Sequence, residues 1–87
     1  LNQNGYIIKE IQIIKEEKMK ISARNQLKGK VVGIDEGAVN GIVKIDVGNG
    51  NIVSATISMA AIKELGLAVG GSATAVIKST SVMVMVD

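Results

Sequence analysis

From Lys20 onward, apolar and polar residues alternate in the manner of a small β protein. Lys28, Lys30 and Val32 alternate with Leu27, Gly29 and Val31, an imperfect period of two that predicts a first strand over Lys20 to Ile34. Gly29 inside that run predicts a bulge or a close approach by another backbone. Asp35 to Gly41 carries two glycines and reads as a turn. Ile42, Lys44 and Asp46 then alternate with Val43, Ile45 and Val47, which predicts a second strand over Ile42 to Val47. Gly48-Asn49-Gly50-Asn51 is the clearest hairpin signal, because Asn-Gly tolerates the positive φ angles of tight β-turns. The partner strand is predicted over Ile52 to Ile57. A short helix follows over Met59 to Leu65, with Ser58 as its N-cap and Gly66 as its stop. Ser72 to Ile77 places Ala73, Ala75 and Ile77 on one side of a fourth strand. The last predicted strand, Ser81 to Val86, is apolar on both sides. Such a strand is buried on both faces, and one small sheet has a single inside. The second face is therefore expected to meet another copy of the chain. The alternative is an exposed edge strand prone to aggregation.

Five strands with a helix between the third and fourth predict a mainly all-β fold, a five-stranded barrel of the oligonucleotide/oligosaccharide-binding (OB) type with one short helix. That unit is assigned to residues 19–87. Residues 1–18 differ in character. Ile7, Ile8, Ile11 and Ile14 mark one face of an amphipathic helix, with Lys9, Glu10, Glu16, Glu17 and Lys18 largely off it. Two readings stand for this extension. One is an accessory helix docked on the domain or on a neighbour. The other is a translated leader, since Lys15-Glu16-Glu17 can be encoded by AAG-GAG-GAG, a purine-rich ribosome-binding sequence ahead of Met19. No chemistry is placed in it.

Composition sharpens the expectation of assembly. Hydrophobic residues make up 47% of the 87-residue chain, yet there is no Phe, Trp or Pro and only one Tyr. A core of Val, Ile, Ala, Leu and Met is thin, and domains this small usually need a further staple. Without Cys or His, neither a disulfide nor a structural zinc is expected, so oligomerisation is. The formal net charge of +2 argues weakly for an anionic partner and does not resemble a nucleic-acid-binding tail. No apolar run approaches the roughly 20 residues of a membrane span. The N-terminal residues lack a signal-peptide pattern, so a cytoplasmic protein without a membrane partner is expected.

The candidate chemistry lies in two donor clusters. Ser22-Ala23-Arg24-Asn25-Gln26 offers a hydroxyl, a guanidinium and two amides, and Lys78-Ser79-Thr80-Ser81 offers an ammonium and three hydroxyls. All of these can donate hydrogen bonds, as an acceptor-only anion requires. Within residues 19–87 no Asp or Glu flanks either cluster; the nearest there are Asp35 and Asp87. The two clusters are expected to meet, across subunits, around a small oxyanion.

Ser22-Ala23-Arg24-Asn25-Gln26-Leu27-Lys28-Gly29, Glu36-Gly37-Ala38-Val39-Asn40, Leu65-Gly66-Leu67 and Val76-Ile77-Lys78-Ser79 together resemble the molbindins, the small molybdate/tungstate-binding proteins of the Mop family. The resemblance spans residues 19–87 and leaves 1–18 without a counterpart. It implies a barrel subunit similar to the domains of molybdate-responsive regulators and transport ATPases. It also implies a hexamer built as a trimer of dimers, with molybdate or tungstate bound at subunit interfaces for storage, buffering or delivery. The positions matching one site class are Ser22, Arg24, Ser58, Lys78 and Ser79; Ser58 stands where some relatives carry Thr. For a second site class, Gly37, Ala38, Val39 and Asn40 are offered as backbone donors. No direct protein ligand to the metal and no cofactor are implied, since the metal enters as its oxyanion.

Two rivals are set beside this reading. A nucleic-acid-binding barrel usually stacks bases on aromatic rings, and no aromatic residue occurs from Met19 onward. A purely structural oligomerisation module would use the same donors to bridge subunits. An enzyme is not expected, because there is no His or Cys and no nucleophile–base constellation. The Gly-rich stretches lack a phosphate-loop pattern and read as turns.

Overall fold

The computed structural model describes residues 20–87. The expected N-terminal helix falls on residues 1–18 and lies outside them. Strand β1 (Asn25–Asp35) is followed by β2 (Asn40–Asp46), β3 (Ile52–Ser58), helix α1 (Met59–Glu64) and β4 (Ser72–Ile77), and then a 3-10 turn over Ser79–Ser81. The four strands form one antiparallel sheet in the order β3-β2-β1-β4. β1 is the hub. Its first half, Asn25 to Lys30, pairs with β4, and its second half, Lys30 to Asp35, pairs with β2. A strand that changes partner midway curls the sheet into a half-barrel, the OB-like architecture expected from the sequence.

The crossover at Lys30 depends on Gly29. A Cβ built there would collide with the carbonyl oxygen of Asp46. Of the two readings of Gly29, the close backbone approach is the one observed. The bulge lies further on, where the β1–β2 register shifts between Val31 and Gly33. Val31, Val43, Ile45, Ile62 and Ala75 form the buried core, with Ile34, Val47, Val53, Ile57, Met59, Leu67 and Ala73 packed around it. All are aliphatic or Met, so the core is thin, as the composition implied.

The local signals map closely onto the observed elements. The Gly48–Asn51 hairpin closes with Val47 N–H on Asn51 O at 2.8 Å and Asn51 N–H on Gly48 O at 2.9 Å. Gly48, Asn49 and Gly50 all take positive φ there. Helix α1 ends in a paired cap: Gly66, at φ +65°, donates to Lys63 O at 3.1 Å, and Leu67 N–H donates to Ile62 O at 3.1 Å.

Two expectations are corrected. The first strand begins at Asn25 rather than Lys20, because β4 ends at Ile77 and offers no further partner. The fifth strand does not form: Val82 to Val86 lie exposed beyond the Ser79–Ser81 turn, with Met83 and Met85 each 92% exposed. A strand exists only as a pairing. Among the described residues this segment has no partner, and the edges of the sheet, β3 and β4, are not joined by another described strand.

Candidate functional site

The register of β1 and β4 decides how the two donor clusters meet. Their terminal pair is Asn25↔Ile77. Arg24 and Lys78 therefore stand next to each other immediately beyond the ladder, with Ser22 upstream of one and Ser79 downstream of the other. All four residues are exposed. Lys78 is extended, at φ −60° and ψ 135°, and leads into the tight turn Ser79–Ser81, which adds the hydroxyls of Thr80 and Ser81. No carboxylate is present between Ser22 and Gly29 or between Ser72 and Val86. This end of the sheet is cationic and rich in donors.

Asn25 and Gln26 are partly spent as donors there. Asn25 Nδ2 donates to Ile77 O at 3.3 Å, and Gln26 Nε2 donates to Ala23 O at 2.7 Å. Each amide has committed one N–H to a backbone carbonyl. Spacing along the sequence could not have separated these from free donors, since an amide side chain serves either use.

Ser58 stands at the other end of β1. It pairs with Asn40 across β2–β3, beyond the Asp35↔Ile42 pair. From Arg24 that is roughly 40 Å of strand path at about 3.3 Å per residue. Ser58 caps α1, its hydroxyl oxygen accepting from Ala61 N–H at 3.0 Å. The hydroxyl proton remains free to donate elsewhere. Beside it is the Gly37–Asn40 stretch, held to the helix by Met59 N–H on Val39 O at 2.8 Å. Gly37, Ala38, Val39 and Asn40 are all exposed.

A shallow cleft at this end is lined by Glu36, Gly37, Ala38, Met59, Ile62, Lys63, Gly66 and Leu67. The Glu36 carboxylate makes it less hospitable to a dianion than the Arg24–Lys78 end. Among the described residues, no group of His, Cys, Asp and Glu is arranged to hold a metal ion.

One copy thus brings together Ser22, Arg24, Lys78 and Ser79, and separately Ser58 with Gly37, Ala38, Val39 and Asn40. Within one copy Ser58 lies too far from the first group to join it.

The TOBE domain model matches residues 21–84. A probable molybdenum-pterin-binding protein of Haemophilus influenzae is 67% identical over 69 residues, 79% of this chain and 100% of its own length. The solved structure of MopII from Clostridium pasteurianum superposes with a TM-score of 0.72 at 48% identity, over 77% of this chain and 100% of that one. A molybdate-bound structure of ModG, described as a cytoplasmic molybdate-binding protein, superposes with a TM-score of 0.68 at 43% identity, over 70% of this chain and 43% of that one. With a curled OB-like sheet, the Mop sequence blocks and relatives of this identity, the chain belongs to the TOBE-domain family, in its molbindin (Mop) group.

Proposed function

We propose that the chain binds molybdate or tungstate non-enzymatically, at sites between copies of itself, and that it stores, buffers or delivers the oxyanion in the cytoplasm. The observation that carries this reading is the adjacency of Arg24 and Lys78 at a sheet end without carboxylates. Molybdate is a dianion with four acceptor oxygens and no proton to give. The groups gathered there, Ser22, Arg24, Lys78 and Ser79, all donate. The Arg24 guanidinium can fork onto two oxygens, which a Lys cannot reproduce. Hydrogen bonds to a charged group contribute about 1.5–3 kcal/mol each. Four or five of them, after association costs, support micromolar binding, about 8 kcal/mol net. The names of the Haemophilus protein and of ModG point to the same ligand class.

Assembly is part of the proposal. Ser58 joins this pocket from a neighbouring copy, donating its free hydroxyl proton. The exposed Val82–Val86 segment closes against a neighbour as well, giving the sheet its missing strand. Leu27 supports this: it pairs with buried Ala75 yet remains 42% exposed. A hexamer arranged as a trimer of dimers, built from residues 19–87, is the assembly we propose. The Gly37–Asn40 backbone supplies the second site class.

Equilibrium dialysis tests the reading. Molybdate is expected to bind at micromolar concentration or below, with tungstate competing within a few-fold because it matches in charge and nearly in size. Sulfate has the same charge but is smaller, and should compete far less well. Sulfate binding as tightly as molybdate would overturn the assignment.

A further inference from the structure

Two segments carry the donors of the proposed pocket, and neither is held by the sheet. Ser22 to Arg24 precede β1, and Lys78 onward follow β4; the last ladder pair is Asn25↔Ile77. Two consecutive amides act at their roots, Gln26 on the first segment and Asn25 on the last residue of β4 before the second. Gln26 Nε2 donates at 2.7 Å to the carbonyl of Ala23, the residue between Ser22 and Arg24. Asn25 Nδ2, half-buried, donates at 3.3 Å to the carbonyl of Ile77, the residue before Lys78-Ser79. Among the described residues, no other side-chain hydrogen bond ends on Ser22–Arg24 or on Ile77. Consecutive strand residues point to opposite faces, so Gln26 braces one wall directly while Asn25, from the other face, anchors the strand end from which the second wall departs.

We infer that Asn25 and Gln26 are positioning residues that set the separation of the pocket walls, and so select a large tetrahedral dianion over a small one. This rests on the proposed oxyanion site. Molybdate and sulfate present the same charge and the same acceptor-only oxygens, so donor number cannot separate them. Distance can: walls held apart leave a small anion with donors out of reach. Walls released from their braces close on it.

The full-length chain tests this with Gln26→Met, which keeps the side-chain length and removes the donor at an exposed position. Asn25→Leu removes the other brace. Molybdate and sulfate affinities are measured by competition dialysis, with melting temperature and assembly size as controls. Gln26→Met should weaken molybdate about 5- to 10-fold, the loss expected for one net hydrogen bond. Sulfate affinity should hold level or rise, because the released walls can close on the smaller anion, so the molybdate-to-sulfate ratio falls. Gln26→Lys retains an N–H donor, and its added charge acts alike on both dianions; it should restore the ratio. An unchanged ratio in Gln26→Met, or proportional weakening of both anions, overturns the inference while leaving the oxyanion site standing. A wild-type chain that ignores molybdate overturns both.

Discussion

At the scale of single residues, Gly29 carries the tightest steric constraint in the barrel. β1 crosses from one partner to the other there, and a Cβ would run into the Asp46 carbonyl. The obstacle is backbone and cannot swing aside. Gly29→Ala is therefore expected to destabilise the fold by about 1–3 kcal/mol, the range for forcing extra volume into a packed site. Gly33, four residues on, is the contrast. A Cβ there would meet only the Lys44 side chain at 3.6 Å, so Gly33→Ala should be neutral or slightly stabilising. Urea unfolding of the two variants, with unchanged m-values, checks the difference. That Gly29 is special was legible in the sequence, because an isolated glycine in a strand pattern marks a bulge or a close approach. Which of the two it marks depends on where Asp46 comes to lie, and that is a long-range fact. The amides of Asn25 and Gln26 teach the same lesson at the pocket: their donors were visible, but their carbonyl partners were not.

Among the elements, α1 is where stability and the proposed binding overlap. It has only six residues, too few to persist in isolation, so its caps matter. Its first turn contains no acidic residue, and Ser58 alone supplies the side-chain N-cap. Ser58→Ala should cost about 1 kcal/mol of folding stability, the usual loss for an N-cap. Ser58→Asp separates the two roles. Asp caps as well as Ser, so stability should be retained, while its carboxylate would repel a bound dianion. Thermal melts beside molybdate dialysis should therefore show an intact fold with binding weakened more than in Ser58→Ala. Equal binding by Ser58→Asp and wild type would remove Ser58 from the pocket.

For the whole molecule, the decisive feature is the C-terminal segment. Val82, Met83, Val84, Met85 and Val86 project from the sheet with exposures between 49% and 92%. Fully burying such a side chain gains about 1.5–3 kcal/mol, so covering all five amounts to roughly 10 kcal/mol. That is comparable to the entire stability of a small domain, about 5–15 kcal/mol. Among the described residues only five are buried in the core, so this unrealised stabilisation is large by comparison. Val84→Asp places a charge in the middle of this segment. It is expected to shift the protein toward the monomer in analytical ultracentrifugation and to weaken molybdate binding with it. A variant that assembles like wild type would show that the segment is not the contact.

The sequence by itself determined what neighbouring residues settle among themselves. The Gly48–Asn51 turn, the Ser58 and Gly66 caps and the inward row Ala73, Ala75 and Ile77 all follow from φ preferences, short hydrogen bonds and a two-residue period. The donor character of both clusters and the absence of nearby carboxylates were equally plain, because they are properties of residue type. Tertiary structure alone decided the pairings. It divided β1 between β4 and β2, set Arg24 beside Lys78, sent Ser58 to the opposite end and left Val82–Val86 without a partner among the described residues. The reason is physical: a β ladder is a contract between distant segments, and whether a strand-like run becomes a strand depends on which edge is offered to it.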